Sequence, residues 1–330
     1  MKRNKLIILI SFYLSLIINT SNASTFEEWK KDFKLLALSK GISENTFHNV
    51  MKDAKFLPKV IEYDRYQPEF YEDTNTYISK RTSNKKVRAG LTYYQNNKEI
   101  INNIDQRFEI EKELLLALMG IETNFGNYLG KMDIISSLST LSFDKRRSEF
   151  FTNELLTILK LIDQGIVDQN ILYGSWAGAF GNFQFMPSTI EKYAIDYNNN
   201  NLIELKNNSD SFASAANYLN KMGWKKNSPC FKKITLKPNV PKKFLNTSAR
   251  KLKNKKKLKY YKKYISENLN FDENLKIAIV TPDSDIVANA KTNEPAYIVF
   301  QNYELILKWN RSLRFGLAVC TLKEKFENEL

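Results

Sequence analysis

The chain has 330 residues, of which 43% are hydrophobic, so it can bury a sizeable core in one large or two to three smaller domains. Its formal net charge is +14, of which residues 1–23 contribute +3 and the remainder +11, and a basic surface predicts an anionic partner. With two cysteines and one histidine, His48, the composition argues against a Cys/His zinc site and against a Ser-His-Asp triad.

The first 23 residues have the organisation of a signal peptide. A basic start at residues 2–5 precedes an apolar run at residues 6–18, and small residues before Ala23 offer a cleavage site. The apolar run is shorter than the ~20 residues that span a membrane, so cleavage is favoured over a permanent anchor. No cysteine lies at the cut to carry a lipid. We therefore expect an exported mature protein that does not bind nucleic acid.

The next segment, residues 26–60, has apolar side chains at helical spacing, for example Phe33 and Leu36, which predicts helices. Pro68 then breaks the pattern. Helical spacing resumes at residues 77–79 and 87–104.

A buried helix is predicted at residues 113–121, because that run is too apolar all round for a surface helix. Glu122 follows where the apolar run stops, and Gly126 lets the chain turn away. Apolar neighbours and the negative end of a helix both disfavour a carboxylate, so we expect the pKa of Glu122 to be raised. A carboxyl group that stays protonated near neutral pH suits a general acid for a glycosidic oxygen. A glutamate at a helix end is more often a solvated surface group, so the rest of the sequence must show whether Glu122 is catalytic.

Those surroundings include a second stretch, residues 174–188, which reads Gly-Ser-Trp-Ala-Gly-Ala-Phe-Gly-Asn-Phe-Gln-Phe-Met-Pro-Ser. Small residues allow the backbone to pass close to a ligand, and the aromatic and amide side chains suit a sugar. Helical patterns are predicted on both sides of this stretch, at residues 134–141, 150–162 and 212–222.

Taken in order, these patterns resemble the lytic murein transglycosylase B family, glycoside hydrolase family 103. The resemblance rests on Asp-Arg-x-Gln-Pro-Glu-Phe at 64–70, Glu-Thr-x-x-Gly at 122–126, Gly-Lys at 130–131, Leu-Ser-Phe with an arginine pair at 141–147, and the stretch at 174–188. It extends from Phe26 to the C-terminus and is weakest between Lys225 and Ala290. The family often has Gly-Val-Pro before the catalytic helix, where this chain has residues 108–111.

The resemblance implies a mainly α fold of the α+β kind with a lysozyme-like catalytic core; helical periodicity alone predicts only a mostly α fold. The expected parts are a signal peptide at 1–23, an N-terminal helical part at 24–80, the core at 81–224, a small basic strand-containing lobe at 225–300, and a segment at 301–330 that returns to the core.

The implied activity is non-hydrolytic cleavage of the β-1,4 bond between N-acetylmuramic acid and N-acetylglucosamine of peptidoglycan, in the periplasm. Glu122 is the single expected catalytic residue, acting as acid and then as base, and no cofactor is needed. Two alternatives are a hydrolytic muramidase, whose second carboxylate the sequence does not place, and an inactive peptidoglycan-binding protein. The expected partner is a glycan strand, with peripheral contact to the membrane or to wall machinery as a further option.

The resemblance also implies residues that contact the substrate: Tyr77, Arg146, Arg147, Ser175, Gln184, Phe185, Tyr218, Trp309 and Asn310. A packing role is the alternative for Tyr77, and a solvent-facing role is the alternative for the arginine pair, which otherwise meets carboxylates of the stem peptides. Trp309 and Phe315 stand where the family commonly has tyrosine, so stacking is retained and a hydroxyl hydrogen bond is lost.

An EF-hand-type calcium loop is the only metal candidate. Oxygen-bearing side chains at Asp196, Asn198 and Asn200 have the required spacing, and Asp210 offers a later ligand. The sixth position is Asn201 rather than glycine, and only two ligands are charged. We therefore predict a metal-free turn.

The C-terminal third has a different composition. Lysines cluster at residues 251–263, where a solvated face is expected and attraction to wall or membrane is the alternative. Strands are predicted at 277–280 and 296–300, and a strand or turn at 302–312 leads into a helix. In an oxidising compartment Cys230 and Cys320 either pair or stay as free buried thiols, since nothing in the sequence shows that they are close.

Overall fold

The computed structural model describes residues 25–66, 72–284, 287, 291 and 293–330. The predicted signal peptide and the second half of the 64–70 motif lie outside these residues. The described chain is mainly helical with small sheets, which confirms the predicted fold class. Within this part of the chain, no helix has the length and apolar character needed to cross a membrane.

Six helices precede the central one: α1 Phe26–Ser39, α2 Glu44–Met51, α3 Pro58–Arg65, α4 Thr74–Arg81, α5 Asn84–Asn96 and α6 Lys98–Phe108. Four of them begin at a polar side chain that accepts a hydrogen bond from the backbone N–H three residues later, namely Thr25, Ser43, Asp73 and Ser83. Such caps satisfy N–H groups that have no partner inside the helix, so they fix where each helix starts.

The centre of the core is α7 Lys112–Thr123, whose residues Leu114 to Leu118 are fully buried. It lies against α5 and α6 and against two later helices. The other core elements are β1 Met132–Asp133, α8 Ile134–Phe143, α9 Ser148–Asp163, β2 Tyr173–Gly174, α10 Pro187–Tyr193 and α11 Asn208–Lys221. Strands β1 and β2 form a two-stranded antiparallel sheet.

Residues 225–300, which we call the lobe, contain the larger sheet. Its elements are β3 Phe231–Ile234, β4 Leu245–Asn246, β5 Lys256–Lys257, α12 Leu258–Tyr261, β6 Lys276–Val280 and β7 Ala296–Val299. The order is β3-β7-β6, and the other edge of β6 is shared by β4, which is parallel, and β5, which is antiparallel. The strands predicted at 277–280 and 296–300 are confirmed.

The central strands of the lobe sheet, β6 and β7, are buried on both faces, and successive side chains of each strand point to opposite sides. In β6, Ala278 and Val280 join the main core, whereas Ile277 and Ile279 join a separate apolar cluster of the lobe. That cluster includes Leu258 of α12. The sheet therefore lies between the main core and the outer helix of the lobe.

The C-terminal segment forms two helices, α13 Gln301–Trp309 and α14 Leu313–Glu327. The prediction of a strand or turn at 302–312 is wrong, because Tyr303, Ile306 and Leu307 bury one helical face. Helix α14 packs on α7 and α4. A disulfide between Cys230 and Cys320, with Cα atoms 6.1 Å apart, joins the residue before β3 to α14. Of the two alternatives for the cysteines, pairing is confirmed.

Candidate active site

Glu122 lies in the last turn of α7, as the sequence predicted, and is half-buried. The chain leaves the helix through three residues in the left-handed conformation, Asn124, Phe125 and Gly126, with φ of 50°, 59° and 81°. A bulky residue rarely adopts this conformation. The ring of Phe125 fits beneath Gly90 and Gly120, where an added Cβ would come within 2.8 Å of it. Tight packing of this ring therefore holds the turn that follows Glu122.

Thr123 fastens the end of α7 to the second motif. Its hydroxyl donates to the carbonyl oxygen of Asn182 at 2.9 Å and accepts from the N–H of Gly126 at 3.1 Å. The Asn182 side chain is 3% exposed and donates to Ser211 of α11 at 3.0 Å. Three separate chain segments are thus joined directly behind Glu122.

The amide of Gln184 makes a second link between the two motifs. Its nitrogen donates to the carbonyl oxygens of Gly181, at 2.9 Å, and Leu129, at 3.2 Å. Leu129 belongs to the loop that follows Glu122. Ser175 closes the preceding turn, because its hydroxyl accepts from the N–H of Ala179 at 3.0 Å. Both predicted substrate contacts therefore also hold the loops around Glu122.

The glycines of this motif have a packing reason of their own. A Cβ on Gly174 would lie 2.2 Å from the Ala179 carbonyl oxygen, and one on Gly178 would lie 2.3 Å from Leu138. One on Gly181 would meet Leu205 at 2.4 Å. The sequence suggested that these small residues admit a ligand, whereas in the described contacts they admit neighbouring parts of the chain.

The carboxyl group of Glu122 receives a hydrogen bond from α13. The indole Nε1 of Trp309 donates to Glu122 Oε1 at 3.0 Å, across 187 residues of sequence. Trp309 is held by three rings, with centroid distances of 5.0 Å to Tyr218, 5.2 Å to Phe185 and 6.2 Å to Phe183. The C-terminal segment thus supplies a donor to the predicted acid, and the aromatic rings fix its direction.

The phenol of Tyr218 belongs to this aromatic group and remains neutral at physiological pH. Burial, and then the neighbouring Tyr193, raise the pKa of Tyr218 to about 12. Asn310 follows Trp309 and ends α13, with its N–H donating to Ile306 at 3.0 Å. Tyr218, Phe185 and Trp309 therefore lie close together, and Asn310 is the next residue of the chain after Trp309.

Glu122 also lines an open cavity of about 380 Å³. The described lining residues are Ser83, Lys85, Lys86, Ala89, Ile121, Glu122, Thr123, Asn124 and Tyr128. Glu122 is the only carboxylate among these described lining residues, and two lysines face the same space. The cavity therefore places one carboxyl group beside the two lysines at the start of α5.

Lys86 is a site residue that sequence reasoning missed. Its ammonium group donates to the carbonyl oxygen of Gly120 at 2.6 Å, at the carboxyl end of α7, where carbonyls have no partner inside the helix. Burial, and then repulsion from Arg81, lower the pKa of Lys86. Only the packing of α5 on α7 brings this lysine to the site, so no local sequence pattern announces it.

Tyr77 is buried in α4, with 2% of its surface exposed. The guanidinium of Arg81 lies 3.5 Å from the centroid of its ring, and Arg81 also pairs with Glu72 at 3.0 Å. Arg81 thus lies on the ring of Tyr77 and is itself fixed by Glu72.

The arginine pair is bound to Asp64, the first residue of the 64–70 motif, a pairing that the sequence did not predict. Arg146 Nε donates to Asp64 Oδ2 at 2.7 Å, and Arg147 pairs with Asp64 Oδ1. Asp64 is 3% exposed, whereas the arginine side chains are 46% and 40% exposed. The described hydrogen bonds do not join this group to Glu122. The pair presents two cations held by one buried carboxylate, so it keeps a net positive charge.

The carboxylates of the calcium candidate make hydrogen bonds within their own turn. Both oxygens of Asp196 accept from backbone N–H groups, those of Asn200 at 3.1 Å and Asn201 at 2.7 Å. Buried Asp210 likewise accepts from the N–H groups of Tyr197 and Glu204 at 3.0 Å. Among the residues that the structure describes, no group of three or more His, Cys, Asp or Glu could hold an ion. The carboxylates thus already stabilise the turn.

Comparisons with known proteins agree on the fold. A family model described as "Transglycosylase SLT domain" matches residues 25–324. SltB3 from Pseudomonas aeruginosa, solved in complex with NAG-NAM-pentapeptide, is 29% identical with a TM-score of 0.81, over 92% of this chain and 80% of that one. Slt35 from Escherichia coli, in complex with bulgecin A, is 25% identical with a TM-score of 0.75, over 91% and 93%. These likenesses confirm the lysozyme-like core.

A curated relative gives a shorter match. The membrane-bound lytic murein transglycosylase B of Escherichia coli (strain K12) is 35% identical over 151 residues. That stretch is 46% of this chain and 42% of the relative, so the match spans less than half of either protein.

Proposed function

Because the chain belongs to the transglycosylase SLT domain family, we propose that it is a lytic transglycosylase of peptidoglycan. The bond cleaved is the β-1,4 link between N-acetylmuramic acid and N-acetylglucosamine, and the product carries a 1,6-anhydromuramyl end. The observation that supports this most is the placement of Glu122 as the one carboxylate among the described residues lining the cavity. Glycosidases that use water or a covalent intermediate place two carboxyl groups across the bond.

In the proposed reaction Glu122 acts twice. As an acid it gives its proton to the bridging oxygen, so the bond from that oxygen to C1 of the muramyl unit breaks. The substrate's own N-acetyl oxygen stabilises the positive C1. Glu122, now a carboxylate, takes the proton from the muramyl 6-hydroxyl as O6 bonds to C1. The ring closes, Glu122 is protonated again, and no water is consumed.

The hydrogen bond from Trp309 suits this double role. An indole N–H can only donate, so in this bond Oε1 of Glu122 is the acceptor. The bond becomes charge-assisted, and therefore stronger, when Glu122 is ionised. Trp309 thus stabilises the carboxylate that Glu122 becomes when it gives up its proton. Lys86 stabilises the carbonyl end of α7 beneath it.

The proposed substrate contacts are those expected from the sequence: Tyr77, Arg146, Arg147, Ser175, Gln184, Phe185, Tyr218, Trp309 and Asn310. Trp309 and the neighbouring rings offer a stacking wall for a sugar, and the exposed arginines offer paired donors for stem-peptide carboxylates. The solved SltB3 structure contains a NAG-NAM-pentapeptide, which carries both kinds of group.

The mass spectrum of the products tests this function. Purified sacculi are incubated with the protein, and the released muropeptides are weighed. We expect anhydro ends, which are lighter than hydrolysed ends by one water. Hydrolysed ends would instead identify a muramidase, and the absence of any released product would identify a binding protein.

We also propose export to the periplasm, because peptidoglycan is the substrate and residues 1–23 have the pattern of a signal peptide. N-terminal sequencing of the exported protein should begin near Ser24. Recovery of a chain with Met1 in the membrane fraction would contradict this.

A further inference from the structure

The positive charge of the chain is concentrated in the lobe. Residues 225–300 contain 18 lysine and arginine residues and six acidic residues, a net charge of +12. Residues 24–224 contain 24 basic and 26 acidic residues, and residues 301–330 have a net charge of +1. The basic character of the mature protein therefore belongs to one part of it, and the catalytic core is close to neutral.

Local structure directs these charges outward. Leu258 and Tyr261 of α12 and Ile265 after it point into the apolar cluster of the lobe. Of the five residues between them, Lys259, Tyr260 and Lys263 are exposed. Since that cluster lies on the face of the sheet opposite the main core, the exposed side of α12 faces away from the core.

Four of these outer residues form a group that we call the basic patch: Lys256, Lys259, Tyr260 and Lys263. The ammonium groups of Lys256 and Lys263 lie 4.3 Å and 5.7 Å from the centroid of the Tyr260 ring, which is 40% exposed. In the described part of the chain, none of the three lysines forms an ion pair, whereas nearby Lys262 pairs with Glu273. The patch combines an exposed ring, two lysines beside it, and a third lysine on the same helix, and these lysines have no ion-pair partner among the described residues.

Protection of a sheet edge explains only part of this pattern. Lysine on an edge strand hinders pairing with another chain, and that argument fits Lys256 and Lys257 in β5. Lys259 and Lys263 lie outside the strand, so edge protection does not account for them. An aromatic ring among unpaired cations is instead suited to a polymer that carries both sugar rings and carboxylates.

We propose that the basic patch is a second peptidoglycan-binding surface, which holds the carboxylates of stem peptides and stacks Tyr260 on a sugar. This rests on the proposed function, since the polymer is the same one that enters the active site. A membrane surface fits less well: Tyr260 is the only exposed large hydrophobic side chain among the described residues of the lobe, which leaves little to insert into lipid.

The position of the lobe allows one polymer to reach both surfaces. Lys255, next to the patch, pairs with Glu304 in the first turn of α13 at 2.9 Å. The last residue of that nine-residue helix is Trp309, which bonds to Glu122. A helix of this length rises about 13 Å. The disulfide further ties β3 of the lobe to α14 of the core.

The test compares two triple variants, both made with Glu122→Gln so that binding is measured without cleavage. The patch variant carries Lys256→Gln, Lys259→Gln and Lys263→Gln. The control removes the same charge from exposed lysines elsewhere that form no described ion pair, through Lys40→Gln, Lys192→Gln and Lys221→Gln. Binding to purified sacculi is measured by co-sedimentation at low and high salt, and the three single patch substitutions are measured alongside.

We expect the patch variant to bind sacculi on the order of 100-fold more weakly than the parent at low salt, since each of the three lysines near an anionic surface contributes about fivefold. The difference should shrink at high salt because exposed charges are screened. The control should bind like the parent. Equal losses in both triples would show that only total charge matters, and unchanged binding of the patch variant would also overturn the proposal.

Two further measurements distinguish a failure of the proposed second surface from a failure of the proposed function, and peptidoglycan binding from membrane binding. With Glu122 intact, the patch variant should cleave short soluble muropeptides at the parent rate, because these occupy the active site alone. If the parent itself cleaves nothing, the proposed function fails, while the sedimentation result still decides the second surface. Binding to vesicles of anionic phospholipid is measured in parallel. Loss of vesicle binding with unchanged sacculus binding would assign the patch to a membrane instead.

Discussion

Around Glu122, chain segments pack so closely that the glycines there could not carry a side chain. In the lobe, by contrast, alternate apolar residues form the core and the outer surface is exposed to solvent. Gly174, Gly178 and Gly181 would each place a Cβ within 2.4 Å of another atom. In the lobe, Ile277 and Ile279 bury one face of β6 while lysines occupy the surface of α12. We therefore expect the region around Glu122 to be sensitive to single substitutions. The lobe should tolerate substitutions that keep its positive charge and its alternation of apolar and polar residues.

The largest expected effect is at Glu122. Glutamine keeps the size of the side chain and can still accept from Trp309, but it cannot deliver a proton, so cleavage of sacculi should fall by about 10²–10⁴-fold or more. Folding should survive, as should binding to glycan strands. Glu149→Gln, an exposed carboxylate in the first turn of α9, serves as the control and should retain parent activity. A Glu122→Gln protein that still released anhydromuropeptides near the parent rate would show that the acid lies elsewhere.

The disulfide that joins the lobe to α14 of the core should contribute strongly to the stability of the fold. Cys230 and Cys320 are 90 residues apart in sequence, and a disulfide that closes a loop of this size typically stabilises by ~2–4 kcal/mol. The double substitution to serine should lower the free energy of unfolding by that amount, measured with denaturant. It should affect the lobe more than the active site, so cleavage of short muropeptides below the melting temperature should change little. An unchanged denaturation midpoint would contradict this prediction.

A smaller effect is expected for the hydrogen bond between α13 and Glu122. Trp309→Phe keeps an aromatic ring against Phe185 and Tyr218 but removes the N–H donor. Hydrogen bonds to charged groups are worth ~1.5–3 kcal/mol, so kcat/KM should fall roughly 10- to 100-fold. Trp29→Phe, in α1, removes an indole N–H far from the site and should leave kcat/KM unchanged. Parent-like kinetics for Trp309→Phe would remove Trp309 from the proposed mechanism.

The smallest effect is expected from calcium. The oxygens of Asp196 and Asp210 already accept backbone N–H groups, so adding calcium should leave the melting temperature unchanged. An ion present at 100 times its dissociation constant would stabilise the fold by ~2.7 kcal/mol. A clear rise in melting temperature with calcium, absent with magnesium, would therefore show that the loop opens to bind it.

The sequence indicated much of the first region because its signals are local. An apolar run marked α7 and the position of Glu122 at its end, and the family resemblance placed Trp309 at the site. The sequence did not predict the contacts of Lys86 and Asp64, because their partners lie 34 and 82 residues away along the chain. Helix α13 was mistaken for a strand or turn, since Tyr303, Leu305 and Leu307 alternate as strand residues do. Only contacts between segments that are distant in sequence determine whether such a pattern forms a helix or a strand.

If one carboxyl group cleaves the glycan without water, the isotope content of the products will show it. Sacculi are digested in water enriched in ¹⁸O, and the muramyl ends are examined by mass spectrometry. We predict 1,6-anhydro ends that contain no ¹⁸O, because the muramyl 6-hydroxyl is the nucleophile. Reducing muramyl ends that carry one ¹⁸O would show that water attacks C1, and a second catalytic group would then be required beside Glu122.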